Sequence, residues 1–137
     1  KKELFKTSGG KYIAPSHIEQ MIKSSRFVNQ VVLVGNERKF PAALIVPNFE
    51  MLESYAELKG LEIKTPAEFC KHERIRNLFE RQIAQHTTGL AQYETVKKFV
   101  LIENELTVES GELTPTLKVK RRVVDQNYKA LIDEMYA

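Results

Sequence analysis

A lysine carried on a turn is a chemical tool, because its ammonium can reach an anion that the backbone itself approaches only through N–H groups. A candidate lies in Gly111-Glu112-Leu113-Thr114-Pro115-Thr116-Leu117-Lys118-Val119-Lys120-Arg121-Arg122. Threonine and proline crowd ahead of an apolar-periodic run. That pattern reads as a loop ending in a helix start, since proline presets φ and threonine can cap free N–H groups. The spacing places Lys118 at or just before the helix N-terminus, where backbone donors and the positive end of the dipole would help it hold a phosphate or a carboxylate. On charge alone, a solvated basic turn accounts for the same residues.

Lys120, Arg121 and Arg122 stand near the start of the same helix, against the dipole's preference for acids there. Local conflicts of this kind concentrate where a site has other demands. At the opposite end of the chain, Ser8-Gly9-Gly10 separates the short β-favouring pieces Leu4–Thr7 and Lys11–Ile13, which suggests a small hairpin. The two glycines allow φ > 0 and close approach of a ligand to the backbone, although a plain turn also explains them.

His17, His72 and His86 share no metal-like spacing with one another or with Cys70, so no metal site is expected and the histidines are assigned to surface or capping roles. Cys70 is the single cysteine, which rules out an internal disulfide and fits a reducing compartment. It reads as a small packed apolar residue, since no arrangement of His with Asn or Asp points to it as a nucleophile.

The elements that must position these residues follow from periodicity. Pro15 to Ser24 predicts a helix with Ile18, Met21 and Ile22 on one face. Val28–Val34 and Ala42–Val46 predict an antiparallel pair of strands covered by that helix. Asn48 caps a helix that Gly60 stops, and Thr65-Pro66 starts another that runs to Thr87 with a break near His72. Phe99–Ile102 predicts a further strand, Glu103–Glu112 a polar loop, and Val119 to Met135 a closing helix. The fold class expected is α+β: a small mixed or antiparallel sheet with an N-terminal hairpin, flanked by helices.

The 137 residues suit one domain with its own core, and 42% hydrophobic with 28% charged residues and no long apolar run excludes a disordered chain or a membrane-spanning helix. No signal peptide is recognisable. The formal charge of +3 is mild and dispersed, so nucleic acid is allowed as a partner but not demanded. A stand-alone basic module binding RNA or another polyanion through Lys118, Lys120, Arg121 and Arg122 is the alternative reading; salt-sensitive binding of RNA would support it. Against it, no surface pair of aromatic residues for stacking bases is evident. The chain opens on Lys1-Lys2-Glu3-Leu4-Phe5 without an initiating Met and reads as cut from something longer.

Two separated stretches share one resemblance. Residues 2–19, Lys2-Glu3-Leu4-Phe5-Lys6-Thr7-Ser8-Gly9-Gly10-Lys11-Tyr12-Ile13-Ala14-Pro15-Ser16-His17-Ile18-Glu19, resemble the start of the C-terminal domain of adenylate-forming enzymes, especially long-chain acyl-CoA synthetases. Leu113 to Arg121 resembles that family's closing lysine motif, and Leu90 to Phe99 also looks like the long-chain branch. The conjunction, in this order and spacing, is far more specific than any one piece. One departure stands at Leu117, where many members carry Gly before the lysine, a variant associated with the long-chain branch.

The resemblance implies a mobile C-terminal domain over residues 1–137, with an N-terminal adenylation domain and hinge upstream. It implies two steps, formation of an acyl-adenylate from a fatty acid and Mg²⁺-ATP, then transfer of the acyl group to coenzyme A. Lys118 would be the catalytic lysine of the first step. Gly9, Gly10 and Lys11 would line the coenzyme A tunnel in the second, after the domain rotates. Lys2 would be a remnant of the linker, and Lys120 and Arg121 are candidates for phosphate contacts. The fragment alone is expected to be inactive and to bind no cofactor. The expected partners are the adenylation domain and the substrates fatty acid, ATP and coenzyme A, not nucleic acid. The expected location is the cytoplasm, with peripheral attachment to a membrane an option for the full-length enzyme.

Overall fold

A computed structural model describes residues 3–137. The linker residue Lys2 lies outside the described residues. The chain opens with a hairpin of β1 (Phe5–Lys6) and β2 (Tyr12–Ile13), paired antiparallel as Phe5 with Ile13 and Lys6 with Tyr12. Helix α1 (Pro15–Lys23) starts on the proline and buries Pro15, Ile18 and Ile22. It lies on β3 (Val28–Val34), which pairs antiparallel with β4 (Ala42–Pro47). β5 (Lys98–Leu101) then joins β4 in parallel, giving a mixed sheet of order β3-β4-β5.

Between β4 and β5 come α2 (Phe49–Lys59), α3 (Pro66–Lys71) and α4 (Glu73–His86). Asn48 caps α2 by accepting the Met51 N–H, and Gly60 ends it in the left-handed conformation that glycine adopts without strain. The break between α3 and α4 falls at His72, whose Nδ1 accepts the Arg74 N–H and so caps the second helix. A short 3₁₀ turn over Gln92–Glu94 leads into β5.

The period-two alternation of the strands divides the interior in two. Val31, Leu33, Ala43, Ile45 and Leu101 face α1 to α4, with Ile18, Ile22, Phe69, Ile75 and Phe79. Val32, Val34, Ala42, Leu44 and Val46 face the C-terminal helices, with Val124, Ile132 and Met135. Burying strand residues on both faces is why β4 and residues 31–34 of β3 read as continuous apolar runs.

The closing helix differs from the sequence expectation. Helix begins at Arg121, not at Val119, and it is broken into α5 (Arg121–Asn127) and α6 (Lys129–Met135) at Tyr128. The bend at Tyr128 lets Val124, Ile132 and Met135 all enter the second core. Among the described residues no helix is long and apolar enough to cross a membrane.

Candidate functional site

Lys118 is presented by a turn, not by a helix end. Leu113 and Val119 form an antiparallel bridge, and the segment between them closes on itself: Leu117 N–H donates to Thr114 O at 2.7 Å, Thr114 N–H to Lys118 O at 2.8 Å, and Lys118 N–H to Thr114 Oγ1 at 3.0 Å. Lys120 is the N-cap of α5, so two residues and the bridge separate the lysine from the first turn of helix. The expected helix-mouth placement is thereby corrected. Threonine and proline in this stretch build a turn, because the Thr114 hydroxyl is used within it.

The base of the turn is fixed from below. Lys120 N–H donates to Glu112 O at 2.8 Å, and the buried Glu112 carboxylate accepts from Ser110 Oγ at 2.8 Å and Asn127 Nδ2 at 3.0 Å. Gln30 on β3 holds the approaching loop by both backbone groups of Leu106, at 2.7 and 3.0 Å. The Lys118 side chain is left exposed along a groove of about 610 Å³ that Leu117, His17, Lys23, Glu19, Glu3 and Arg121 also line.

Arg121, a candidate for phosphate contact, is committed inside the chain. Its Nη1 and Nη2 donate to the two oxygens of Glu19 at 2.7 and 2.9 Å, Nη1 reaches Leu33 O at 3.3 Å, and Nε donates to Glu3 Oε1 at 2.7 Å. Burial alone would lower the guanidinium, but the hydrogen bonds and charges of Glu19 and then Glu3 more than offset it and hold Arg121 above the ordinary arginine value. For Arg121, though not for Lys120 or Arg122, this network removes the conflict of a cation at a helix start, since Glu19 and Glu3 neutralise it. Lys120 remains exposed.

The hairpin turn at Gly9 and Gly10 is built like the lysine turn. Gly10 N–H donates to Thr7 O at 2.9 Å, Thr7 N–H to Lys11 O at 2.9 Å, and Lys11 N–H to Thr7 Oγ1 at 3.2 Å. Gly10 (φ +88°) holds the left-handed position that Leu117 (φ +66°) holds in the other turn, and in each a lysine follows. Both are three-residue hairpin loops of the kind that needs a residue at positive φ. The glycine turn is braced by the β3–β4 connection, through Ser8 N–H to Arg38 O and Glu37 N–H to Lys6 O, each 2.8 Å.

Arg38 in turn pairs with Asp133 on α6 and lies over the Tyr136 ring at 4.9 Å, so the C-terminal helix supports the hairpin through this connection. Hydrogen bonds from Lys129 and then from Arg38 hold the Asp133 carboxyl below the usual range. Around the hairpin the structure exposes two tyrosines, with Lys6 over Tyr12 at 5.6 Å and Lys11 over Tyr93 at 5.4 Å.

Glu3, Glu19, Glu112 and Asn127 were not singled out from the sequence. Their partners lie far away in the chain or on another element, up to 118 positions for Glu3 with Arg121, and no local periodicity encodes such pairs. His17 is exposed on the Lys118 groove. Among the described residues no three His, Cys, Asp or Glu side chains converge to hold a metal. Another groove, of about 780 Å³ between α4, β5 and α6, is lined by none of the candidate site residues.

Comparison with known proteins agrees with the architecture. A family model described as the AMP-binding enzyme C-terminal domain matches residues 3–137. Long-chain-fatty-acid–CoA ligase 6 of Homo sapiens is 32% identical over 140 residues, covering 100% of this chain and 20% of its own length. A long-chain-fatty-acid–CoA ligase of Mycobacterium tuberculosis is 28% identical over 137 residues, covering 99% of this chain and 23% of its own. The chain thus spans about a fifth of the length of the curated relatives it matches. Among solved structures, the adenylation domain of a carboxylate reductase from Mycobacterium chelonae superposes with a TM-score of 0.79 at 27% identity, over 97% of this chain and 19% of that one. A Mycobacterium tuberculosis fatty acyl CoA synthetase shares the fold, with a TM-score of 0.56 at 21% identity over 93% of this chain and 20% of that one.

Proposed function

The chain belongs to the AMP-binding enzyme C-terminal domain family, and from that premise we propose that it is the mobile C-terminal domain of a long-chain fatty acid–CoA ligase, working against an adenylation domain of the same protein. In the proposed reaction a fatty carboxylate oxygen attacks the α-phosphorus of ATP, the α–β anhydride bond breaks, and pyrophosphate leaves. The thiol of coenzyme A then attacks the acyl carbon, its proton passes to solvent, and AMP leaves. Long-chain-fatty-acid–CoA ligases among the relatives support the acyl substrate class.

The observation that carries the reading is the lysine turn: backbone groups of Thr114, Leu117, Lys118 and Lys120 are hydrogen-bonded and close it, while the Lys118 side chain is exposed. A fixed base limits where the Lys118 ammonium can lie, and a cation held beside a transferring phosphoryl group stabilises the charge that develops there. Lys118 would bridge the carboxylate and the phosphate oxygens in the first step. The Gly9-Gly10 turn, with Lys11 beside it, would face coenzyme A in the second step, after the domain turns.

In the complete enzyme, Lys118→Ala is expected to lower acyl-adenylate formation by about 100- to 1,000-fold, the loss typical of removing one preorganised donor. Thioester formation from supplied acyl-adenylate should stay near the wild-type rate. Pyrophosphate release measures the first step and acyl-CoA appearance the second. Equal losses in the two steps would count against this role for Lys118.

A further inference from the structure

Arg121 sits where three parts of the chain meet, and its bonds are unequal. On the Nη side it holds both oxygens of Glu19 and the Leu33 carbonyl, while Glu19 accepts the Leu33 N–H at 2.7 Å. β3 is an edge of its sheet, so this ion pair occupies the backbone groups that a further strand would otherwise take. Both side chains are largely enclosed, 15% exposed for Arg121 and 13% for Glu19. On the Nε side the partner is Glu3, which is 52% exposed. That contact brings the residue just ahead of the hairpin against the residue that opens α5.

Arg121 follows Lys118 by three residues, a reach of at most about 11 Å of backbone. Val119 is bridged to Leu113 and Lys120 N–H is bonded to Glu112 O, so the segment between the two side chains is rigid. Lys118 and Arg121 thus stand at the two ends of one hydrogen-bonded strip.

We propose that Arg121 is a positioning residue for Lys118, and that Glu3 is the arm through which the start of the domain sets its place. The inference rests on the role given to Lys118 above. The two sides of the guanidinium have different tasks. Glu19 and Leu33 keep Arg121 on the sheet edge in every orientation of the domain. The half-exposed Glu3 contact opens at little cost when the chain ahead of it turns, and it closes again in the adenylate-forming orientation. The planar fork of arginine is needed, because it serves Glu19 and Glu3 from separate edges in one plane.

The test compares Glu3→Gln, Arg121→Lys and Lys118→Ala in the full-length enzyme, with the two half-reactions assayed separately and the melting temperature of each variant recorded. Glu3→Gln is expected to lower kcat of adenylate formation by up to about five-fold, the range an exposed ion pair supplies. KM for ATP, the melting temperature and thioester formation from supplied adenylate should be unchanged. Arg121→Lys should lower the same kcat at least as far, since an ammonium lacks the fork.

A wild-type kcat in Glu3→Gln overturns the inference. So does an Arg121→Lys enzyme that keeps kcat but raises KM for ATP or coenzyme A, the behaviour of a phosphate ligand. Lys118→Ala separates the two claims: if it spares adenylate formation, the role of the lysine fails, and if it abolishes that step while Glu3→Gln is silent, only the positioning of Lys118 through Arg121 fails. Should Arg121→Lys not fold, Glu3→Gln decides alone, because Glu3 is half-exposed and outside both cores.

Discussion

Leu117 shows how much a single position can hide. It sits at φ +66° with its side chain 68% exposed, so it adopts a glycine-favoured conformation and gains little from burial. The equivalent place in the other turn, Gly10, could be read from the sequence because glycine announces positive φ; leucine announces nothing of the kind. The loop that carries Lys118 was legible from its threonine and proline residues, but its support was not, since Glu112 and Arg121 find their partners through tertiary contacts. Left-handed geometry costs a branched residue about 1–2 kcal/mol, and glycine gives back part of that through the entropy of the unfolded chain. Leu117→Gly is therefore expected to stabilise the domain by about 0.5–1 kcal/mol, and Leu117→Ala, which keeps the strain, to change it by less than about 0.5 kcal/mol. Urea unfolding of the two variants measures the difference; equal stabilities would mean that the turn carries no strain at this position.

At the scale of elements, helix boundaries were legible wherever a residue marks them chemically. Pro15, Asn48, Gly60 and Thr65-Pro66 each stand at the end they signal, and His72 marks the break between α3 and α4. The break at Tyr128 carries no Pro, Gly or capping residue, so the continuous apolar stripe hid it; the demand that both halves meet the same core produced it.

Helix α3 also fixes Cys70, which packs with Phe69 in the first core. Burial, and secondarily the charge of Glu103, pushes the thiol up from 9.0 to about 11. The sign follows directly. Between those two values the unfolded chain loses a proton that the native state keeps, so stability falls as pH rises. The slope from this one group is at most about 1.4 kcal/mol per pH unit. Comparing urea unfolding of the wild type with Cys70→Ala at pH 8 and pH 10.5 should show a smaller loss in the variant. An identical loss would mean that the thiol ionises alike in both states.

For the molecule as a whole, the paired strands β3 and β4 were legible as Val-rich runs, whereas the parallel placement of β5 depends on a crossover that no local pattern specifies. The glycines separate what the domain needs for itself from what it offers outward. Gly35 is required internally: at φ +146°, a Cβ there would meet Phe40 O at 3.1 Å and Pro41 Cα at 3.2 Å. Gly10 needs its left-handed φ, yet a Cβ on it meets nothing within 4 Å among the described residues. Gly9 has neither constraint, since its φ is ordinary and a Cβ on it meets nothing within 4 Å among the described residues. Within this chain any residue would serve at position 9, so a functional demand for glycine there has to come from what the hairpin faces in the complete enzyme. This makes Gly9→Leu a cleaner probe than Gly10→Leu, in which a conformational cost of about 1 kcal/mol or more is mixed with any effect on function. Gly9→Leu is expected to change stability by less than about 0.5 kcal/mol, as for an unconstrained surface site. In the complete enzyme it should nevertheless slow thioester formation from supplied acyl-adenylate while leaving pyrophosphate release intact, the reverse of Lys118→Ala. If both half-reactions proceed at wild-type rates in Gly9→Leu and in Gly10→Leu, the hairpin does not face coenzyme A, and the second working surface must be sought elsewhere on the domain.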